Sequence, residues 1–125
     1  MALSNAGRNH IATGLIGGSV TVFNAANSYI GVGTGNTAFD ATHTDLQGTS
    51  VRQAMDSTYP QIVSGNIWIF QSTFATGSAN FSWQEWGVFN ASSAGTMLNR
   101  KVESLGTKTS TQAWTIQASI TLNNP

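Results

Sequence analysis

Cysteine is absent from this 125-residue chain, which excludes disulfides and thiolate metal sites. Charge is almost absent too. Five Lys/Arg and five Asp/Glu make up 8% of the residues, against roughly 25% in an average soluble domain. No run nears the roughly 20 apolar residues that a membrane-spanning helix needs. The first residues lack a basic region followed by an unbroken apolar stretch, so no signal peptide is expected. The expectation is a chain made in a cytoplasm, staying there soluble or assembled, with no membrane partner. Nucleic acid is not an expected partner either, because its binding needs clustered cations to replace counterions. The only adjacent basic pair is Arg100-Lys101, with Glu103 close behind.

The missing charge is not replaced by apolar residues, which make up 40%. It is replaced by 48 Ser, Thr, Asn and Gln, together with 13 Gly. The surface is therefore expected to be neutral and built from hydroxyls and amides. With zero net charge, nothing repels identical copies, which favours association. The length suits one domain with a real core.

The hydropathy pattern predicts an all-β fold. It is expected to be an antiparallel β-sandwich or jelly-roll-like barrel, with a short N-terminal helix or arm at 1–18 and one β domain at 19–125. Over 4–17, Ser4 or Asn5 could cap a helix that Gly17-Gly18 would stop; an irregular arm is the alternative. Strands are expected at Ser19–Phe23, Tyr29–Val32, Arg52–Tyr59, Asn66–Phe74, Phe81–Asn90, Met97–Glu103 and Thr111–Leu122. Residues 33–50, rich in Gly, Thr, Asn and Asp, read as one long loop. A turn is expected near Gly106. The last strand alternates most clearly: Trp114, Ile116, Ala118, Ile120 and Leu122 point one way, and Ala113, Thr115, Gln117, Ser119 and Thr121 the other.

Few residues could carry chemistry. There is no nucleophile elbow, no catalytic cysteine and no phosphate loop followed by Lys-Ser/Thr. Gly31-Val32-Gly33-Thr34-Gly35 lacks both the helix and the lysine, and reads as a tight turn. Asp40, His43 and Asp45 lie within six residues of one another in the long loop. Their spacing misses the calcium-loop pattern, and turn chemistry is the preferred reading over a metal site. Glu85 lies between Trp83 and Trp86. It could be an acid of raised pKa or line a glycan site with tryptophan as the stacking platform, but no second carboxylate stands near it for hydrolysis. The preferred reading is structural. Alternation puts Trp83 and Glu85 on one face and Trp86 and Val88 on the other, and Glu85 pairs with Arg100 on the adjacent hairpin strand. Arg52 and Asp56 share a face by alternation, suiting a cross-strand or intersubunit ion pair. No catalytic role, cofactor or metal is expected.

Several segments carry a likeness: Leu3-Ser4-Asn5-Ala6-Gly7-Arg8, Tyr29-Ile30-Gly31-Val32-Gly33, Thr44-Asp45-Leu46-Gln47, Met55-Asp56 and Tyr59-Pro60. The most specific are Asn80 to Asn90 around Trp83-Gln84-Glu85-Trp86, and Gly95-Thr96-Met97-Leu98-Asn99-Arg100. Through them the chain resembles short virion proteins of tailed bacteriophages, a group spanning head-decoration and tail-fibre proteins. The resemblance implies a particle component with no catalytic residues, assembled in the host cytoplasm. Its implied place is the capsid exterior as a decoration or cement protein bound to the major capsid protein, and its implied state a homotrimer. A tail-fibre or tail-tip module touching a host receptor or glycan is the alternative. The interface candidates are Leu3, Asn5, Arg8, Arg52, Asp56, Trp83, Glu85 and Arg100, with the N-terminal arm reaching a neighbour or the shell.

Overall fold

The computed structural model describes residues 3–123. Its first element is helix α1, Asn5–Leu15. Ser4 caps it, its hydroxyl accepting the Gly7 N–H at 2.9 Å, which satisfies one of the donors every helix start leaves open. The helix closes with Gly17 N–H on Gly14 O and Gly18 N–H on Thr13 O, the paired bonds of a Schellman ending. Leu3 bridges to Asn99, and Ser4 N–H donates to Leu98 O at 3.1 Å. The N-terminal segment thus docks on this chain's own sheet over the described residues, while residues 1–2 lie outside them.

Seven strands follow: β1 Tyr29–Gly33, β2 Ser50–Ala54, β3 Gln61–Ile62, β4 Ile67–Phe74, β5 Ser82–Phe89, β6 Met97–Thr107 and β7 Trp114–Thr121. They form two antiparallel sheets, one ordered β2-β1-β5-β6 and the other β3-β4-β7. The fold is an open sandwich without barrel closure, and its seven strands fall one short of the eight of a jelly roll. Between the sheets lies a core of Ile30, Val32, Phe70, Phe74, Trp83, Trp86, Val88, Leu98, Ala118 and Ile120. Phe74, Trp83 and Trp114 stack edge to face with centroids 5.0 Å apart, a preferred aromatic geometry.

Four expectations change. Ser19–Phe23 alternates like a strand but forms none. Its carbonyls are taken by side chains instead: Thr21 O by His10 and Asn90, Val22 O by Asn27. The strand expected over Arg52–Tyr59 stops at Ala54, because the chain there crosses between sheets and Asp56 N–H donates to Gln71 O of β4. Gly106 is not in a turn: β6 runs through it, and its φ of 103° falls opposite Trp83, where the β5–β6 register breaks. The same break resets the faces of β5. Trp83, Trp86 and Val88 all enter the core, and Trp83 does not share a face with Glu85. Trp83 pairs with Gly106 and Glu85 with Val102, so β6 advances from Gly106 to Val102 while β5 advances only from Trp83 to Glu85, and regular alternation is lost at this irregularity.

Candidate functional site

Glu85 and Arg100 emerge on the outer face of the four-stranded sheet. Gly87 pairs with Arg100 and Glu85 with Val102, so the two side chains are diagonal neighbours, within reach of long side chains. They make an ion pair of 2.7 Å between Arg100 Nε and Glu85 Oε1, both side chains fully buried. The long loop 34–49 roofs them. Glu85 Oε2 accepts the Gly35 and Gly48 N–H groups and Oε1 accepts that of Gln47, each at 2.8 Å. Arg100 Nη2 donates to Thr37 O at 2.9 Å. Both ends of the loop are therefore tied to one carboxylate. The backbone makes room for it at Gly33, where a Cβ would stand 2.7 Å from Glu85 Oε2 and 3.1 Å from its Cγ.

Burial by itself would raise the pKa of Glu85. The Gln47 amide, the Arg100 guanidinium and the Gly48 and Gly35 amides together outweigh it and hold the pKa below the ordinary value. A carboxylate with four donors on it keeps its charge and has no proton to give. The geometry therefore suits a clasp rather than a general acid. Glycan stacking beside it is overturned as well, because Trp83 and Trp86 are 2% and 5% exposed. Trp83 Nε1 is committed to Ala79 O, and Trp86 Nε1 to Glu103.

Arg52 extends the clasp. Its guanidinium lies 3.6 Å over the Phe89 ring, donates to Ala91 O and Ala94 O at 2.8 and 2.9 Å, and meets Asp45 at 3.3 Å. Asp56 does not pair with it, accepting instead from Gln71 and Thr73 of β4. Asp40 and His43 close one turn, the His43 N–H donating to Asp40 O at 3.0 Å and the Asp40 N–H to His43 Nδ1 at 3.3 Å, while Asp45 turns to Arg52. Asp40 accepts the hydroxyl and the N–H of Thr42, which lower its pKa; His43 stands edge-on to Phe39. Among the described residues no three His, Asp or Glu side chains gather as a metal site.

Of the eight interface candidates, Trp83, Glu85 and Arg100 are buried inside the chain and cannot meet a partner. Arg52 and Asp56 are half-buried in internal bonds, Leu3 is half-buried on β6, and Asn5 and Arg8 are exposed. Sequence reasoning missed Lys108. It is 1% exposed, and its ammonium is held by Ala75 O at 2.7 Å and Asn80 Oδ1 at 2.8 Å. A lone lysine in a Thr/Ser-rich stretch carries no sequence signal for that role.

The other sheet offers a contrasting surface. Ile67, Ile69, Gln71 and Thr73 of β4 lie beside Thr121, Ser119, Gln117 and Thr115 of β7 on its outer face. Gln117 Nε2 donates to Gln71 Oε1 at 3.0 Å, and the Thr73 and Thr115 hydroxyls stand 2.9 Å apart. No strand of this sheet carries an ionisable residue. Compared with models of protein families and with curated proteins, the chain matches none.

Proposed function

We propose that this protein is a structural component of a tailed-phage particle, a decoration or cement protein that lies on the capsid exterior and stabilises the lattice of the major capsid protein. The reading rests on the likeness of its motifs to short phage virion proteins. The observation that carries it in the fold is the outer face of the three-stranded sheet, whose strands contribute no ionisable side chain. Docking such a face meets few ionised groups: the Asp56 carboxylate that reaches it is already held by Gln71 and Thr73, and the remaining amides and hydroxyls can exchange water for partner groups at little cost. The buried Glu85–Arg100 pair and Lys108 suit the same role, since the first is neutralised and the second solvated by oxygens inside the domain, away from the surface. The reading assigns the protein a contact role without a catalytic step. For the alternative, a tail module touching a host receptor or glycan, the burial of Trp83 and Trp86 removes their rings as a stacking platform.

Particles assembled without this protein should lose resistance to heat or osmotic shock and regain it when purified protein is added back. The double variant Ile69→Lys/Gln71→Lys, charged on the β4 face, should bind such particles at least tenfold more weakly while unfolding like the wild type. Particles equally resistant with and without the protein would refute the proposal.

A further inference from the structure

Open sheet edges invite pairing, and folds blunt them with charge, proline, bulges, shortness or a cover. Three of the four edges here are blunted. β2 is five residues long and carries Arg52. β3 has two residues and directly follows Pro60. β6 is covered at one end by Leu3 and Ser4; beyond that it breaks register and carries Lys101 and Glu103. β7 is the exception. It pairs with β4 in unbroken register over all eight residues and contains no charge and no proline. Among the described residues, nothing pairs with its other edge.

The main-chain alternation shows which groups are left over. Ile67 O and Gln71 O of β4 face away from β7, accepting from Val63 and Asp56. The even-numbered residues of β4 therefore bond to β7. Leu122 N–H, donating to Asn66 O, puts the even-numbered residues of β7 on the same ladder. In an antiparallel strand the N–H and C=O of one residue point to the same side. Thr115, Gln117, Ser119 and Thr121 hence direct theirs to the open edge. There is room beside it: a hollow of about 400 Å³ lies between Leu105 and the Trp114–Gln117 stretch, and another of about 450 Å³ lies against Leu122.

We infer that this edge pairs with the β7 edge of a second copy of the chain, antiparallel about a two-fold axis through Ala118, joining two three-stranded sheets into one of six strands. The strand is self-complementary in this register. Thr115 meets the second copy's Thr121, and Gln117 meets its Ser119, so all four outward residues exchange main-chain bonds with four identical partners. On the inner face, Ile116 falls opposite Ile120, and Trp114 opposite Leu122. Leu122 is 42% exposed in the single chain and gains cover. No like charges meet, because the strand has none. The arrangement is a dimer, in place of the threefold association implied by the phage likeness, and it does not depend on the virion role.

Light scattering on the purified protein at high micromolar concentration should give twice the chain mass. Amide exchange at Thr115, Gln117, Ser119 and Thr121 should slow as concentration rises. Gln117→Lys/Ser119→Lys sets lysines opposite each other across the axis and should weaken the dimer at least tenfold. Gln117→Lys/Ser119→Glu sets lysine opposite glutamate and should restore it. A monomeric wild type, exchange independent of concentration, or a Lys/Glu variant no tighter than the Lys/Lys one overturns the inference.

Discussion

On the four-stranded sheet, β2, β5 and β6 carry Arg52, Glu85, Arg100, Lys101 and Glu103, whereas β3, β4 and β7 of the facing sheet carry no ionisable side chain. The first sheet is roofed by loop 34–49, and its β6 edge is covered by the N-terminal segment. Among the described residues the second has no such roof, only Asp56 held on Gln71 and Thr73, and a bare β7 edge. The difference shows where charge is spent in a charge-poor protein. Part of it goes to an internal task, fastening a long loop whose amides would otherwise lack partners, while the strands of the other sheet contribute none and Asp56 reaches their outer face from a connection. A roofed sheet tolerates ions beneath the roof because the loop's own N–H groups solvate them.

The most disruptive way to break this contrast is Glu85→Ala. It strands Arg100 and three loop amides in a dry site, and losing one partner of a buried pair costs about 3–5 kcal/mol. Urea unfolding should show that loss, and amide exchange should show protection vanishing over 34–49. Gly7→Ala should cost about 1–3 kcal/mol, because its Cβ would stand 2.2 Å from Leu98 O on β6. Helix propensity alone would predict the opposite sign, a gain of about 1 kcal/mol, so thermal unfolding distinguishes a docked helix from a free one.

Acid should act on the same side of the molecule. The pKa of folded Glu85 lies below its ordinary value, so the unfolded chain takes up the proton first. Its contribution is complete above the ordinary glutamate range and is lost as pH falls through the folded value, at no more than about 1.4 kcal/mol per pH unit. Stability measured between neutral and acid pH should fall accordingly. In Glu85→Gln it should fall less, leaving the smaller dependence of exposed groups such as Asp40. The smallest effect belongs to the neutral sheet: Thr115→Val on its outer face should shift unfolding by less than about 0.5 kcal/mol. A larger loss there would mean that this face is not the free surface described.

Much of the fold was legible where one physical signal dominated. The period of Trp114 to Ile120 placed β7 and both its faces, and Ser4 with Gly17-Gly18 bracketed α1. The pairing of Glu85 with Arg100 was legible from the hairpin between them. What it holds was not, because Gly35, Gln47 and Gly48 contribute backbone N–H groups that every residue but proline has. Likewise, Trp83 and Trp86 fall on opposite faces under strict alternation, and both enter the core because the register breaks between them.

The amino-acid sequence by itself determined most of the strand-forming segments, the long loop, the absence of thiols and the zero net charge, because each follows from residue type and local period. Only the tertiary structure decided which face of β5 is buried, that one carboxylate closes the loop, and that β7 is the edge left open. Those depend on register and on which strands become neighbours, and pairing between distant segments is set by the packing of the whole chain rather than by any single stretch of it.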